Sequence, residues 1–200
     1  MRIRAVATPA EVYCVSPING RLRQGEIISG LIQIKTVLKS PSDVHTAAPI
    51  IDRKTHLFAI VTSQDCDLEQ DFNSNSAGRT THGFFLPNIL FCPIDEADKV
   101  RAGPPNLPSD IWKRVVSNSD QRYQFLQKID AVHDSDGQGL PALAADFKRY
   151  FTMPTDEAYF RIHAEAKRRC VLLSPYLEHF MSRFFNFQMR VALPAEHEKL

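Results

Sequence analysis

Cysteine is scarce and scattered. Cys14, Cys66, Cys92 and Cys170 are the four thiols of a 200-residue chain, and no two of them form a CxxC pair. That spacing argues against a zinc ribbon, and a chain of this length needs no disulfides to fold, so reduced thiols and a cytoplasmic location are expected. Long apolar runs are missing as well. No stretch approaches the ~18 uninterrupted apolar residues of a membrane span, and the opening "MRIRAVATPAEVY" lacks the apolar core of a signal peptide. Charge of one sign is not in excess: 24 Lys and Arg face 23 Asp and Glu, for a formal net charge of +1. Electrostatic capture of nucleic acid by the chain as a whole is therefore excluded, and only a local basic patch is open to it. Internal repeats and low-complexity tracts are absent.

With 44% hydrophobic and 24% charged residues, the composition is that of a soluble globular protein. We expect one domain over 1–200, with a strand-rich core over about 11–155 and a helical part over about 156–194. "EVYCVS" (11–16), "EIISGLIQIK" (26–35), "HLFAIVTS" (56–63) and "NILFC" (88–92) read as strands, with Gly30 as a bulge. "SPSDVHTAAPI" (40–50) and "NSNSAGRTTHG" (73–83) read as loops. "SDIWKRVVSN" (109–118) reads as a helix capped by Ser109, "RYQFLQ" (122–127) and "ALAADF…RYFTM" as strands, and 155–173 as helical or partly so. In "SPYLEHFMSRFFNFQMRVALP", Leu177, Phe180, Met181, Phe184 and Gln188 share one helical face, Pro175 suits the first turn and Pro194 stops the helix. Many short strands followed by an amphipathic helix make an α+β plan built on a small barrel.

One stretch concentrates chemistry. "FAIVTSQDCDLEQDF" places Cys66 among Asp65, Asp67, Glu69 and Asp71 at the end of an apolar strand. Continued as a strand, the four acids project from one face, where a hard divalent ion would neutralise them. The glycine of an EF-hand loop is missing, since Gln70 holds its place, and solvated acids in a turn account for the pattern without a metal or other cofactor. The same alternation points Cys66 inward as a small buried hydrophobe, and neighbouring acids oppose thiolate formation. A Cys/His pair would need one of His45, His56, His82, His133 or His163 brought close. Two basic segments are candidate anion surfaces: "AKRRC", with Arg168 and Arg169, and "FKRYF", where Lys148 and Arg149 alternate with aromatics as in single-strand binders. Phe184, Phe185 and Phe187 exceed what one helix face buries and suggest a homodimer or a protein partner.

Three segments in order carry a resemblance. "RQGEIISGLIQIK" (23–35), "HLFAIVTSQDCDLEQD" (56–71) and "ILFCPI" (89–94) resemble successive strand signatures of the MazF/PemK-type toxins. The resemblance implies an SH3-like barrel with an inserted segment and C-terminal helices, usually dimeric. Its enzymatic members cut single-stranded RNA without a metal. It implies a catalytic arginine before the second signature, matched by Arg53, and a hydroxyl residue after Pro-Ile, where Asp95 stands instead. An endonuclease would thus use Arg53 with Thr62, Ser63 or Asp95, and a rim of Gln64, Asp65, Cys66, Asp67, Lys148, Arg149, Arg168 and Arg169. A non-catalytic member would bind nucleic acid or protein in a toxin–antitoxin or phage-defence system. The Ser-Gln-x-Cys-Asp turn and Arg/Phe-rich last helix also resemble an uncharacterised group of bacterial proteins.

Overall fold

In a computed structural model, residues 11–37, 50–78 and 85–190 are described. Eight strands form one antiparallel sheet: β1 (Tyr13–Val15), β2 (Glu26–Val37), β3 (Ile50–Val61), β4 (Asn88–Glu96), β5 (Tyr123–Leu126), β6 (Leu143–Asp146), β7 (Phe151–Pro154) and β8 (Lys167–Leu172). Among the described residues five α-helices accompany them: α1 (Asp65–Ser76), α2 (Ala97–Ala102), α3 (Ser109–Val116), α4 (Thr155–Ala164) and α5 (Tyr176–Gln188). The hydrogen-bonded path runs β1-β8-β2-β3-β4-β6-β5, and β7 pairs with the first half of β4. The architecture is therefore α+β, as expected. The path does not close, because β1 and β5 end it without pairing to each other. The expected loop over 40–49, His45, His82 and Pro194 lie outside the described residues.

The β-branched, alternating composition of 26–35 and 56–63 produces the longest ladder, from Ile27 opposite Ile60 to Val37 opposite Ile50. Gly30 adopts φ +75, but the β2–β3 ladder keeps its register on either side of it. The irregularity falls one strand over: between Ile27 and Ile28 the β8 partners step from Cys170 to Arg168, leaving Arg169 as the extra residue of a bulge. Two apolar clusters pack around the sheet. One joins Ile27, Phe58, Ile60, Ile94 and Phe147 to Phe180, Met181, Phe184 and Phe187 of α5. The other joins Leu31, Val61, Phe91, Phe151 and Met153 to Leu68 of α1 and Ala158 and Ile162 of α4.

Three expectations need correction. The run after Ser63 is a helix, not a strand end: Asp65 and Asp67 occupy its first turn, where carboxylates favour the positive end of the helix dipole. Helical spacing replaces the alternation that would have buried Cys66, and its thiol is exposed. The helical part expected over about 156–194 is interrupted, since "KRRCVL" is strand β8 with every residue but Lys167 buried. Two of the three clustered phenylalanines of α5 are spent internally. Phe184 is fully buried and Phe187 nearly so, both against Phe147, while Phe185 is partly exposed. The α5 face otherwise behaves as its 3/4 spacing dictates, and Gln188 donates to the Phe147 carbonyl at 3.1 Å.

Candidate functional site

The "TSQD" signature is an assembly point. Thr62 Oγ1 donates to the Leu90 carbonyl at 3.1 Å, and Ser63 Oγ accepts from the Leu90 N–H at 2.8 Å, so both hydroxyls fasten the end of β3 to β4. Gln64 precedes α1 in extended conformation, and its carbonyl accepts the Leu68 N–H. Asp65 gathers the 21–24 segment. It accepts from Arg21 Nη2 at 3.0 Å, Arg23 Nε at 2.9 Å and the Gln24 N–H at 3.0 Å. Burial raises the pKa of this carboxyl, but the hydrogen bonds from Arg23, Arg21 and Gln24 outweigh it and hold the group below the usual carboxylate range. Asp71 is buried and accepts the Leu86 N–H at 2.9 Å. The Cys66 sulfur lies 3.6 Å from Gln64 Oε1 and 3.7 Å from Asp67 Oδ1. Among the described residues no group of three His, Cys, Asp or Glu side chains is placed to hold a metal ion.

The "AKRRC" segment does not offer its cations to solvent. Arg168 lies in a closed pair with Glu26, Nε to Oε1 at 2.5 Å and Nη2 to Oε2 at 2.9 Å, and also donates to the carbonyls of Gly20 and Arg21. Glu26 further accepts from the Ser16 hydroxyl and the Arg23 N–H. Arg169, at the bulge, donates to Asp134 through Nε at 2.7 Å and Nη2 at 2.6 Å. Asp134 comes from "HDSDGQG", where it also accepts the N–H groups of Asp136 and Gln138. Both arginines are removed from the list of anion-facing residues, because each is buried and spent on a carboxylate inside the fold.

The second basic segment does reach solvent. Phe147 packs edge-on against Phe180 and Phe184 at 5.5 and 5.6 Å, and Phe151 stacks on His56 at 4.3 Å and on Phe91 at 5.4 Å. Anchored at both ends, the short turn between them turns Lys148, Arg149 and Tyr150 outward, with Tyr150 at 48% exposure. Asp146 ends β6 and accepts the Lys148 N–H at 3.1 Å, which shapes the turn. Beside it runs a cleft of about 560 Å³ whose walls include Asp95, Lys99, Arg122, Tyr123, Asp146 and Arg149. Arg149 Nη1 meets Asp95 Oδ2 at 3.2 Å. Arg122 grips Asp146 through Nε at 2.7 Å and Nη2 at 2.6 Å, and its guanidinium carbon stands 4.9 Å from the centre of the Tyr123 ring. Each cation therefore has a carboxylate, yet Arg122, Arg149 and Asp95 all remain partly open to solvent.

The local field is positive. Lys54 is held below its usual range by burial, then by the nearby charges of Arg149 and Lys35, with Asp95 opposing. His56, only 4% exposed and with Nε2 3.1 Å from Gln33 Oε1, is pushed down to about 4 by burial and then by Lys54, Arg149 and Lys35. A neutral imidazole at pH 7 follows.

Of the residues singled out from sequence, Asp95 and Arg149 come together in the cleft wall, with Lys148 exposed beside Arg149. Arg53 stands opposite Ile34 in the β2–β3 ladder, and it is Lys54 that lies in the field of Asp95. Thr62 and Ser63 serve β4 instead. Sequence reasoning did not pick out Lys35, Lys54, Lys99, Arg122 and Tyr123. The one usable signal was the Arg-Tyr step that opens "RYQFLQ", which repeats the cation–aromatic pairing of "FKRYF". The chain significantly matches no family model, no curated protein and no solved structure. What the fold and site define is an α+β protein with an open eight-stranded antiparallel sheet and a cation-rich, tyrosine-lined cleft beside β4, β5 and β6. Among the described residues no helix is long and apolar enough to cross a membrane.

Proposed function

We propose that this protein binds single-stranded nucleic acid, RNA in the first instance, along the cleft edged by Lys148, Arg149, Tyr150, Arg122 and Tyr123, and does not cleave it. The observation that carries this reading is the outward thrust of Lys148-Arg149-Tyr150 between two buried phenylalanines, next to a tyrosine already capped by an arginine. Single strands are held by cations that follow the phosphates and by aromatic faces on which bases stack; Arg122, Arg149 and Tyr123 offer both in the cleft wall, and Lys148 and Tyr150 are exposed beside it. The Asp95–Arg149 and Asp146–Arg122 pairs fit such a role, since a phosphate arriving at either guanidinium replaces or shares a carboxylate held by one contact at Arg149 and by two at Arg122. A diverged, non-catalytic MazF/PemK-like chain, with its sheet curled as an SH3-like barrel, is the family reading we attach to this site. A bacterial toxin–antitoxin or phage-defence setting in the cytoplasm goes with it. Cleavage has less support: the Thr62 and Ser63 hydroxyls are engaged by Leu90, and an aspartate at 95 repels the charge that develops on a cleaved phosphate.

The test is fluorescence anisotropy of a labelled 12-nucleotide RNA against salt. Three to four phosphate contacts predict a log–log slope of about −2 to −3, and a K148A/R149A variant should flatten it by about 1.4. No anisotropy change at 50 mM salt and about 100 μM protein would overturn the reading. RNA fragments accumulating in EDTA would restore the nuclease.

A further inference from the structure

The turn between α3 and β5 is tied to α5 by one side chain. Arg183 donates through Nη1 to the Asn118 carbonyl and through Nη2 to the carbonyls of Asp120 and Tyr123, the latter at 3.0 Å. Asn118 turns the chain here with a left-handed φ of 54, and its side chain is fixed on both backbone groups of Phe125. Asn186, Phe187 and, just past the helix end, Arg190 follow Arg183 at three-, four- and seven-residue spacing, so they lie on the same side of α5. Between this side and the turn is a cavity of about 260 Å³, whose walls include Asn118, Asp120, Gln121, Arg183, Phe187 and Arg190.

The charges in this wall do not balance. A cation drawn out of water is ordinarily paired with a carboxylate, as Arg122, Arg168 and Arg169 are here. Arg183 meets only carbonyl oxygens, and burial pushes its guanidinium below the ordinary arginine range, with the charge of Asp120 opposing. Arg190 donates through Nε to the Phe187 carbonyl at 3.0 Å, and its guanidinium carbon stands 3.6 Å from the centre of the Phe187 ring. Among the described residues neither arginine has a carboxylate partner, and the Nε–H of Arg183 and both terminal nitrogens of Arg190 have no acceptor. Arg183 is half-buried and Arg190 exposed, so solvent reaches both. Asp120, the one acid of the wall, is committed: Oδ1 accepts the N–H groups of Arg122 and Tyr123 at 2.9 and 3.1 Å, and Oδ2 is 4.0 Å from Arg114 Nε. Two cations beside one committed carboxylate leave positive charge for a ligand to neutralise.

The surroundings select the anion. Asp120 and Gln121 wall this cavity, while the next two residues, Arg122 and Tyr123, wall the cleft beside β4, β5 and β6. A strand that leaves that cleft past Tyr123 arrives here. An internal phosphate diester brings a single charge, whereas a terminal phosphate monoester brings about −1.5 to −2 at pH 7 and three free oxygens, which suits two guanidinium groups without carboxylates. The volume agrees, since it falls below the ~300–1,000 Å³ of a site for a whole ligand and fits an end group.

We propose that the cavity between α5 and the 118–121 turn binds a phosphate monoester, the terminal phosphate of the strand held in the neighbouring cleft. The strand rests on the cleft reading, and the phosphate rests on the two arginines.

The experiment compares one labelled RNA in three forms, with a 5′-phosphate, with a 3′-phosphate and with hydroxyls at both ends, by anisotropy against the full chain. One phosphorylated form should bind at least about tenfold more tightly than the hydroxyl form, and the form that gains says which end is read. Arg190→Ala should remove most of that gain and Arg190→Glu all of it. Both variants keep Arg183 and its turn, which an unchanged unfolding midpoint verifies. Uridine 5′- and 3′-monophosphates, titrated without RNA, should shift the ¹H–¹⁵N resonances of Gln121, Asn186 and Arg190, and uridine should not. Equal binding of the three RNA forms overturns the proposal and leaves the cleft reading intact. Shifts from the monophosphates in a chain that binds no RNA uphold the phosphate site and remove the strand. A gain that survives Arg190→Glu, equal shifts from uridine, or monophosphates that move none of these resonances at millimolar concentration also overturn the proposal.

Discussion

Asp134→Ala should be among the most damaging polar substitutions in this protein. Asp134 has a fully buried side chain and receives two hydrogen bonds from Arg169 and two from backbone N–H groups. Removing it leaves a guanidinium in the bulge of β8 with Ser29 Oγ at 3.3 Å as its remaining side-chain partner. Breaking a buried pair from one side costs about 3–5 kcal/mol, a large part of the ~5–15 kcal/mol that holds a typical domain together. With a urea slope of about 2 kcal/mol per molar, a loss of ~4 kcal/mol lowers the midpoint by about 2 M. Equilibrium urea unfolding at pH 7, followed by tryptophan fluorescence and circular dichroism, reads this directly. The double variant D134L/R169M removes both charges and should recover most of the loss, because an apolar pair of similar volume replaces the ion pair without stranding a charge. A midpoint shift below about 0.5 M for Asp134→Ala, or a double variant worse than the single one, would refute the assignment of these groups to the core.

Ser63→Ala leaves the Leu90 N–H without its acceptor and should cost about 1–2 kcal/mol, seen as a melting point lower by roughly 3–6 °C; an unchanged melting point removes Ser63 from the β3–β4 junction. Asp65→Asn should destabilise by about 1 kcal/mol at pH 7, after discounting for its partial exposure. Because the folded-state pKa of Asp65 is depressed, its contribution is present above the ordinary carboxylate value and is lost as the pH falls through the folded value. The two proteins should therefore converge in strong acid, and a difference independent of pH would contradict the latch. In a thiol titration Cys66 should react first. Burial raises Cys170 to about 12 and Cys92 higher still, so both should wait for unfolding, and rapid modification of either would contradict their place in the core.

What could be read in advance follows from what physics writes locally. The α5 face was legible because one run of thirteen residues repeats apolar positions at 3/4 spacing. β2, β3 and β4 were legible because their β-branched runs are bounded by turn residues. Helix α1 was not, since its hydrophobic signal is little more than Leu68. Its better sign was two aspartates at a helix start, which also suit a turn. β8 was hidden because its arginines look solvated. Only Glu26, 142 positions away from Arg168, and Asp134, 35 away from Arg169, make them interior residues, and no local pattern carries that pairing. The cleft was half legible for the same reason. "FKRYF" displays its cations locally, whereas Arg122 and Lys99 join it only through the order of strands in the sheet.

The central claim is that a single strand lies across the β4–β6 cleft. Photo-crosslinking of 4-thiouridine-labelled RNA, followed by mass-spectrometric mapping of the adducts, tests it most directly. The account predicts adducts on Tyr123 and on Tyr150, lost with excess unlabelled strand and reduced in K148A/R149A. Adducts confined to other surfaces, or none at all at saturating RNA, would contradict it.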